Sequence, residues 1–157
     1  FLLDLKPKFI KFSYSKKDQV DWINQTIDAG IEAIVSCDIM TDKKVPAKAT
    51  KLYCIAQYPV LYKIDFADLF KGTEYIDKLK SKLRFDGFSD HTLGIEQTKF
   101  AIYSGAKVVE KHVKLNADDF NCPDDMFAVT IEEFAKINNY KALNELTGIS
   151  EKLKLEF

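Results

Sequence analysis

The chain has 157 residues, of which 46% are hydrophobic and 30% charged, and its formal net charge is −1. This composition is typical of one globular domain with its own core, and the charge favours neither nucleic acid nor an anionic membrane as a partner. No apolar run approaches the roughly 20 residues that span a bilayer. The three cysteines lack the spacing of a metal site and indicate reduced thiols, so we expect a cytoplasmic protein.

The first part of the chain predicts three strands joined by short connections. Residues 9–13 alternate as a strand, Asp18 is a suitable N-cap for the helix that follows, and Gly30 is placed to end that helix. A nearly continuous apolar strand at residues 33–37 is typical of a strand covered on both faces. The next strand, at residues 52–56, follows after so few residues that we expect only a helical turn or two between them.

The second part predicts a helix at residues 73–83 and then a strand–helix–strand unit within residues 84–115, whose helix ends at Gly105. The only two histidines of the sequence, His91 and His112, follow the two strands of this unit. Ligands bind at the carboxyl ends of parallel strands, so the histidines are a candidate metal or acid/base site. Alternatively, each one caps a strand or satisfies a backbone carbonyl. Glu110 shares a face with His112 and is either a buried charge partner or a residue that orients the site.

A polar loop at residues 116–125 follows, and it either carries chemistry or is simply solvated. Thr130 and Glu133 then form a capping box, and Val129 and Phe134 form a hydrophobic staple, which together predict a last amphipathic helix. Five strands alternating with helices or shorter connections predict an α/β chain with a parallel sheet.

Several residues near the predicted strand ends are candidates for binding chemistry. Two imidazoles, completed by water, substrate or a carboxylate such as Asp124, would suit a divalent first-row metal with open positions. Lys11 with Ser36 and Ser89 would supply ammonium and hydroxyl donors to a phosphate, although serine is also common in ordinary loops. Tyr58 is either a wall of the substrate site or part of a turn.

Beyond these patterns, three stretches resemble the catalytic barrel of the sialic acid synthases: LYCIAQYP, FSDHTLGIEQTKFAIYSGAKVVEKHVKL and CPDD. The family pattern is roughly LHCTxxYP, then GYSDHT and GAKVIEKHFTL, then GPDH. SDHT and EKH at this spacing are its most specific parts. The resemblance implies a TIM (β/α)8 barrel that condenses phosphoenolpyruvate with an N-acylated amino sugar, typically N-acetylmannosamine, and releases phosphate.

Individual residues take roles from this resemblance where the motifs match. His91 and His112 correspond to ligands of a divalent metal, manganese or magnesium, that would polarise the sugar aldehyde. Asp124 corresponds to an acidic residue near the metal and the sugar, and Tyr58 to an active-site tyrosine, and we assign both to catalysis. The positions that hold phosphoenolpyruvate in the family correspond to Lys11, Ser36 and Ser89.

The resemblance places the chain at about strands 4 to 8 of such a barrel, as one domain over residues 1–157. The first three barrel strands and the small antifreeze-like domain of the family would then lie outside these residues. It also implies that the parent protein is a homodimer whose partners are phosphoenolpyruvate and an amino sugar, with no nucleic acid or membrane involved.

Three single positions depart from the family pattern, as does the connection after the second predicted strand, which reads SCDIM in place of STGM and has a shortened helix. Tyr14 stands in place of a serine, Lys16 in place of an acid and Ala56 in place of a polar residue. They favour an alternative: a catalytically impaired relative that acts as a sugar-phosphate binding or assembly subunit. A third interpretation, a different metal-dependent aldolase of similar barrel type, fits the histidines but not the spacing from SDHT to EKH.

Overall fold

The computed structural model describes residues 1–66, 85–115 and 123–137. Within them, five parallel strands form one sheet whose strand order is the chain order. The strands are β1 (Phe9–Phe12), β2 (Glu32–Cys37), β3 (Thr50–Cys54), β4 (Gly87–Asp90) and β5 (Val108–Lys111). The predicted α/β class and parallel sheet are thereby confirmed.

In the described residues, two helices lie between strands of this sheet. They are α1 (Val20–Asp28), between β1 and β2, and α2 (Glu96–Tyr103), between β4 and β5. Gly30 follows α1 with φ +74°, and Gly105 follows α2 with φ +104°. Glycine adopts such left-handed backbone at no steric cost and commonly ends helices there, so both predicted helix stops are confirmed.

The predicted N-cap of α1 is wrong. Gln19 holds the cap position, and its side chain makes no hydrogen bond to the helix. The Asp18 carboxylate lies 3.5 Å from Lys17 Nζ instead. The Asp18 carboxylate is therefore paired with Lys17 and does not accept a hydrogen bond from the backbone N–H groups of the first helical turn.

The connection between β2 and β3 holds only a short helical segment, as predicted, which is the 3₁₀ turn Asp42–Lys44. After β3 the chain turns across the end of β4. Val60 N donates to His91 O at 2.9 Å, and Val60 forms a bridge with Thr92. These contacts bring the segment that carries Tyr58 against the end of β4.

A second, two-stranded parallel ladder follows the main sheet, between β6 (Val113–Lys114) and β7 (Val129–Thr130). Residues 131–137 are helical and form α3. The capping box is confirmed, because Glu133 N donates to Thr130 Oγ1 at 3.2 Å and Thr130 N donates to Glu133 Oε2 at 2.9 Å. Phe134 packs into a cluster that contains Val129, which confirms the staple.

Three predictions fall where the structure is not described. The helix at residues 73–83, residues 116–122 of the polar loop and the remainder of the last helix lie outside the described residues. Among the helices that are described, none is both long enough and apolar enough to cross a bilayer.

The two faces of the sheet differ in chemistry. Alternation along β2 turns Val35 and Cys37 toward the helices, where they join a buried cluster with Phe12, Ile23 and Phe88. The opposite, inner face carries the polar residues of the candidate site. The helices thus cover an apolar face, and the concave face is left for chemistry.

The sheet curls into a half-barrel. Lys11 on β1 and Glu110 on β5 belong to the two outermost strands, yet Lys11 Nζ lies 2.8 Å from Glu110 Oε2. Gly87 allows the close approach on this concave face, because a Cβ built there would lie 1.9 Å from the Val108 carbonyl oxygen and 2.9 Å from Leu52 Cδ2. Only glycine fits this position of β4.

Candidate metal and substrate site

His91 lies at the carboxyl end of β4, buried against the end of β3. Its Nδ1 lies 2.9 Å from the carbonyl oxygen of Ile55. Since a carbonyl oxygen can only accept, Nδ1 carries the proton and donates it, which leaves Nε2 as the nitrogen with a free lone pair. Burial lowers the pKa of His91, so the ring is neutral near pH 7 and able to bind a metal.

His112 follows β5 and is oriented in the same way by a different acceptor. Its Nδ1 lies 2.8 Å from Asp124 Oδ2. A carboxylate that accepts from Nδ1 fixes the tautomer of the ring and increases the basicity of Nε2. The backbone is fixed as well, because Val129 N donates to His112 O at 3.0 Å.

Asp124 owes its position to a short loop that folds back on itself. The backbone N–H groups of Phe127 and Ala128 donate to Asp124 O at 3.0 and 2.8 Å. The next residue, Asp125, forms an ion pair with Lys114 of β6. The loop therefore presents the Asp124 carboxylate to His112, where it orients an imidazole.

The two imidazoles meet over the end of the sheet. Their ring centroids are 5.3 Å apart, at an interplanar angle of 61°. Tyr58 packs on His91 with centroids 4.1 Å apart, and Phe127 packs on His112 with centroids 4.8 Å apart. Tyr58 and Phe127 themselves lie 5.4 Å apart, so two aromatic rings enclose the histidine pair on the side of the loops.

The donor set decides which metal these residues fit. Within the described ranges, no cluster of three or more His, Cys, Asp or Glu side chains is placed to hold a metal. The described residues would therefore supply two imidazole nitrogens and leave the other positions to water or substrate oxygen. Such a set suits Mn²⁺, which accepts imidazole, better than Mg²⁺, which prefers oxygen ligands.

On the inner face, the candidate phosphate residues lie on three strands. Lys11 Nζ donates to Ser36 Oγ at 2.9 Å and also pairs with Glu110. Ser89 lies two strands from Ser36 and is the register partner of Cys54 on the strand between them. Lys11 and Ser36 thus form one contact group, and Ser89 forms another close to the histidines.

Cys54 lies between these groups, fully buried on β3. Its Sγ is 3.9 Å from His91 Nδ1. Burial raises the pKa of Cys54 to about 11. The residue is therefore a neutral thiol near pH 7 and cannot serve as a nucleophile there.

Tyr14 and Lys16, which depart from the family pattern, lie in a 3₁₀ turn directly after β1. The Tyr14 hydroxyl donates a short hydrogen bond to Asp38 Oδ2, which raises the pKa of Tyr14 to about 12. Asp38 Oδ1 accepts from the backbone N–H groups of Met40 and Thr41, at 2.9 and 2.8 Å. Lys16 is exposed.

The sequence reasoning overlooked three features of this end of the sheet. Asp38 could have been found, because it follows β2 as His91 follows β4. Asp90 gave a second signal, because it is a charged residue within a predicted strand. Phe127 gave no signal, because the loop that carries it has no periodic pattern.

A curled parallel sheet with polar groups at the carboxyl ends of its strands defines this chain as part of a barrel of the βα class, with a candidate two-histidine metal site. The NeuB family model matches residues 2–152, and the chain belongs to the NeuB family.

One curated relative and two solved structures extend the comparison. An uncharacterised protein of Methanocaldococcus jannaschii is 31% identical over 105 residues, which are 66% of this chain and 29% of that protein. An N-acetylneuraminic acid (sialic acid) synthetase of Leptospira borgpetersenii, solved with citrate, matches with a TM-score of 0.65 and 21% identity over 96% of this chain and 58% of that one.

The spore coat polysaccharide biosynthesis protein spsE of Bacillus subtilis matches with a TM-score of 0.71 and 17% identity, over 96% of this chain and 45% of that one. At these identities the two structures show the shared fold alone, which is the half-barrel predicted from the motifs. The chain spans 29% of the curated relative and about half of the two structures.

Proposed function

We propose that the protein to which these residues belong condenses phosphoenolpyruvate with an N-acylated amino sugar, N-acetylmannosamine or a relative, to give a nonulosonic acid and phosphate. The observation that carries the proposal is the histidine pair. Both Nδ1 atoms are committed to oxygen acceptors, so both rings have Nε2 to offer to one metal ion. The family and the names of the two structural neighbours support the same reaction class.

Each group in the site has a part in this reaction. His91 and His112 would hold Mn²⁺, which supplies Lewis acidity to the aldehyde oxygen of the sugar. Lys11 and Ser36 would bind the phosphate through an ammonium and a hydroxyl donor, with Ser89 donating nearer the histidines. Asp124 keeps the His112 ring in its tautomer.

Tyr58 would form a wall for the sugar. It is more than half exposed, at 54%, while its ring packs on His91. An aromatic face beside the metal position can stack on the apolar face of a sugar ring and exclude water from one side of the aldehyde.

We extend the proposal to a homodimer in the cytoplasm, as the family resemblance implies.

The test is phosphate release from phosphoenolpyruvate with N-acetylmannosamine, assayed in the full chain with Mn²⁺ and after chelation. We expect His91→Gln to reduce turnover at least 100-fold, since one metal ligand contributes several kcal/mol to transition-state stabilisation. Asn24→Ala, on the exposed side of α1, is the matched control and keeps full activity. Full activity of the metal-free His91→Gln variant would refute the proposal.

A second candidate function is favoured by Tyr14 and Lys16. The Tyr14 hydroxyl is committed to Asp38, and the exposed Lys16 replaces an acid of the family pattern. A catalytically impaired relative would still bind sugar phosphates through Lys11 and Ser36. Calorimetry distinguishes the two candidates, because heat of ligand binding without any phosphate release supports the binding or assembly subunit.

A further inference from the structure

Asp90 and Lys111 stand directly before the two histidines, on the neighbouring strands β4 and β5. They are register partners in the parallel ladder. Lys111 Nζ lies 3.3 Å from Asp90 Oδ2, and both side chains are fully buried, at 0% exposure. This is a buried ion pair beneath the candidate metal site, and the proposed reaction makes no use of it.

Both members of the pair make further hydrogen bonds, one of them to the helix α2. Asp90 Oδ1 accepts from Thr92 N and Thr92 Oγ1, both at 2.7 Å. Asp90 Oδ2 accepts from Thr98 Oγ1 of α2 at 2.5 Å. Lys111 Nζ also donates to the carbonyl oxygen of Thr92. The network thus joins β4, β5, α2 and the residue that follows His91.

The topology of this network encloses His91. Asp90 precedes it and Thr92 follows it, and Lys111 contacts both of them. Lys111 is itself bonded covalently to His112. Because side chains alternate along a strand, Asp90 and Lys111 point toward α2, and the two histidines point to the opposite face. One buried ammonium therefore sets the backbone at both metal-ligand positions.

Stability alone does not account for such an arrangement. A buried ion pair often contributes no more to stability than apolar residues of similar volume. Apolar contacts, however, tolerate small shifts, whereas four directional bonds to one carboxylate fix its place to within a few tenths of an ångström. A metal site requires its ligands at this precision.

We propose that the Asp90–Lys111 ion pair is the positioning device that fixes the spacing and direction of the His91 and His112 imidazoles, so that the two-nitrogen site exists before any metal binds. This inference rests on the proposed function only for the identity of the ligand. The preformed geometry is a property of the metal-free protein and is measurable there.

The experiment uses the metal-free full chain labelled with ¹⁵N-histidine. Because the described residues contain just two histidines, His91→Gln and His112→Gln assign their signals. In the wild type we expect both rings as a single tautomer protonated at Nδ1. In Lys111→Met, and in the charge-free double variant Asp90→Asn/Lys111→Met, we expect averaged tautomers and an affinity for Mn²⁺ at least 10-fold weaker.

The double variant guards against loss of the fold, since it leaves no unpaired buried charge. Ile23→Ala, on the buried face of α1, is the control: it lowers stability away from the histidines and should leave both readouts unchanged. Fixed tautomers and wild-type affinity in the folded double variant would overturn the inference, as would an equal loss in Ile23→Ala. If the wild type has fixed tautomers but binds no Mn²⁺, the proposed function fails and the tautomer result alone decides the inference.

Discussion

Among the described residues, two lysine–carboxylate pairs connect strands of the main sheet, and they differ in burial. Asp90–Lys111 joins adjacent strands on the helix side, with both side chains at 0% exposure. Lys11–Glu110 joins the two outermost strands across the concave face, with side-chain exposures of 25% and 41%. The first pair carries a network of further hydrogen bonds. In the second, Glu110 Oε2 has no hydrogen-bond partner among the described residues beyond its ion pair with Lys11.

The difference in burial makes the Asp90–Lys111 contact a fixed one and the Lys11–Glu110 contact an exchangeable one. Removing a buried charge from its partner is costly, so Lys111 stays in place. A partly exposed pair contributes little, so the Lys11 ammonium is free to exchange Glu110 for the phosphate that we propose it binds beside Ser36. The same two residue types thus form a fixed contact beneath the candidate metal site and an exchangeable contact at the candidate phosphate site.

The largest effect tests this contrast directly. We expect Lys111→Met to lower the free energy of unfolding by about 3–5 kcal/mol, because it leaves Asp90 as an uncompensated buried charge. Lys11→Met, the matched change in the exposed pair, should cost less than about 1 kcal/mol. Urea unfolding of both variants measures the difference. Equal losses would show that burial does not distinguish the two pairs.

An intermediate effect concerns the curl that brings Lys11 and Glu110 together. A Cβ at position 87 would lie 1.9 Å from the Val108 carbonyl, so we expect Gly87→Ala to force the strands apart and to cost about 1–3 kcal/mol. Gly30→Asn is the control, since Gly30 has φ +74° with nothing within 4 Å and asparagine tolerates this backbone. It should cost under about 1 kcal/mol by the same urea titration. A harmless Gly87→Ala would contradict the close approach.

Much of the fold could be predicted because local patterns determine it. Apolar runs predicted the five parallel strands, Gly30 and Gly105 marked the helix ends, and Thr130 with Glu133 marked the start of α3. The N-cap of α1 could not be predicted, because the competing contact of Asp18 with Lys17 is a side-chain interaction that local propensity does not contain.

The residues of the candidate site could be predicted from the sequence, but the contacts between them could not. Position after a strand predicted both histidines as a pair, and the structure brings their rings to 5.3 Å. That Asp124 orients His112 depends on the turn at residues 124–128, which no sequence spacing encodes. The contact between Lys11 and Glu110 depends on the curl of the whole sheet, and hence on packing at Gly87.

The smallest effect lies at the end of β1, where Tyr14 donates to Asp38. This hydrogen bond raises the pKa of Tyr14 to about 12. Burial alone would raise the pKa of Asp38, but the hydrogen bonds from Tyr14 and Thr41 outweigh it and lower the pKa. Tyr14→Phe removes one hydrogen bond, so we expect a loss of about 1 kcal/mol at pH 7.

The pH dependence follows from the direction of the two shifts. A phenol whose folded pKa exceeds its unfolded value of about 10 contributes stability below pH 10 that is lost as the pH rises toward 12. The lowered pKa of Asp38 contributes stability above its unfolded value, and this is lost as the pH falls through the folded one. Subtracting the absorbance titration of Tyr14→Phe from that of the wild type leaves the signal of the Tyr14 phenol, which should ionise near pH 12. Ionisation of the Tyr14 phenol near pH 10 instead would mean that its hydroxyl does not bond to Asp38 in solution. The end of β1 would then not be organised before a ligand binds, in contrast to what we propose for the ends of β4 and β5.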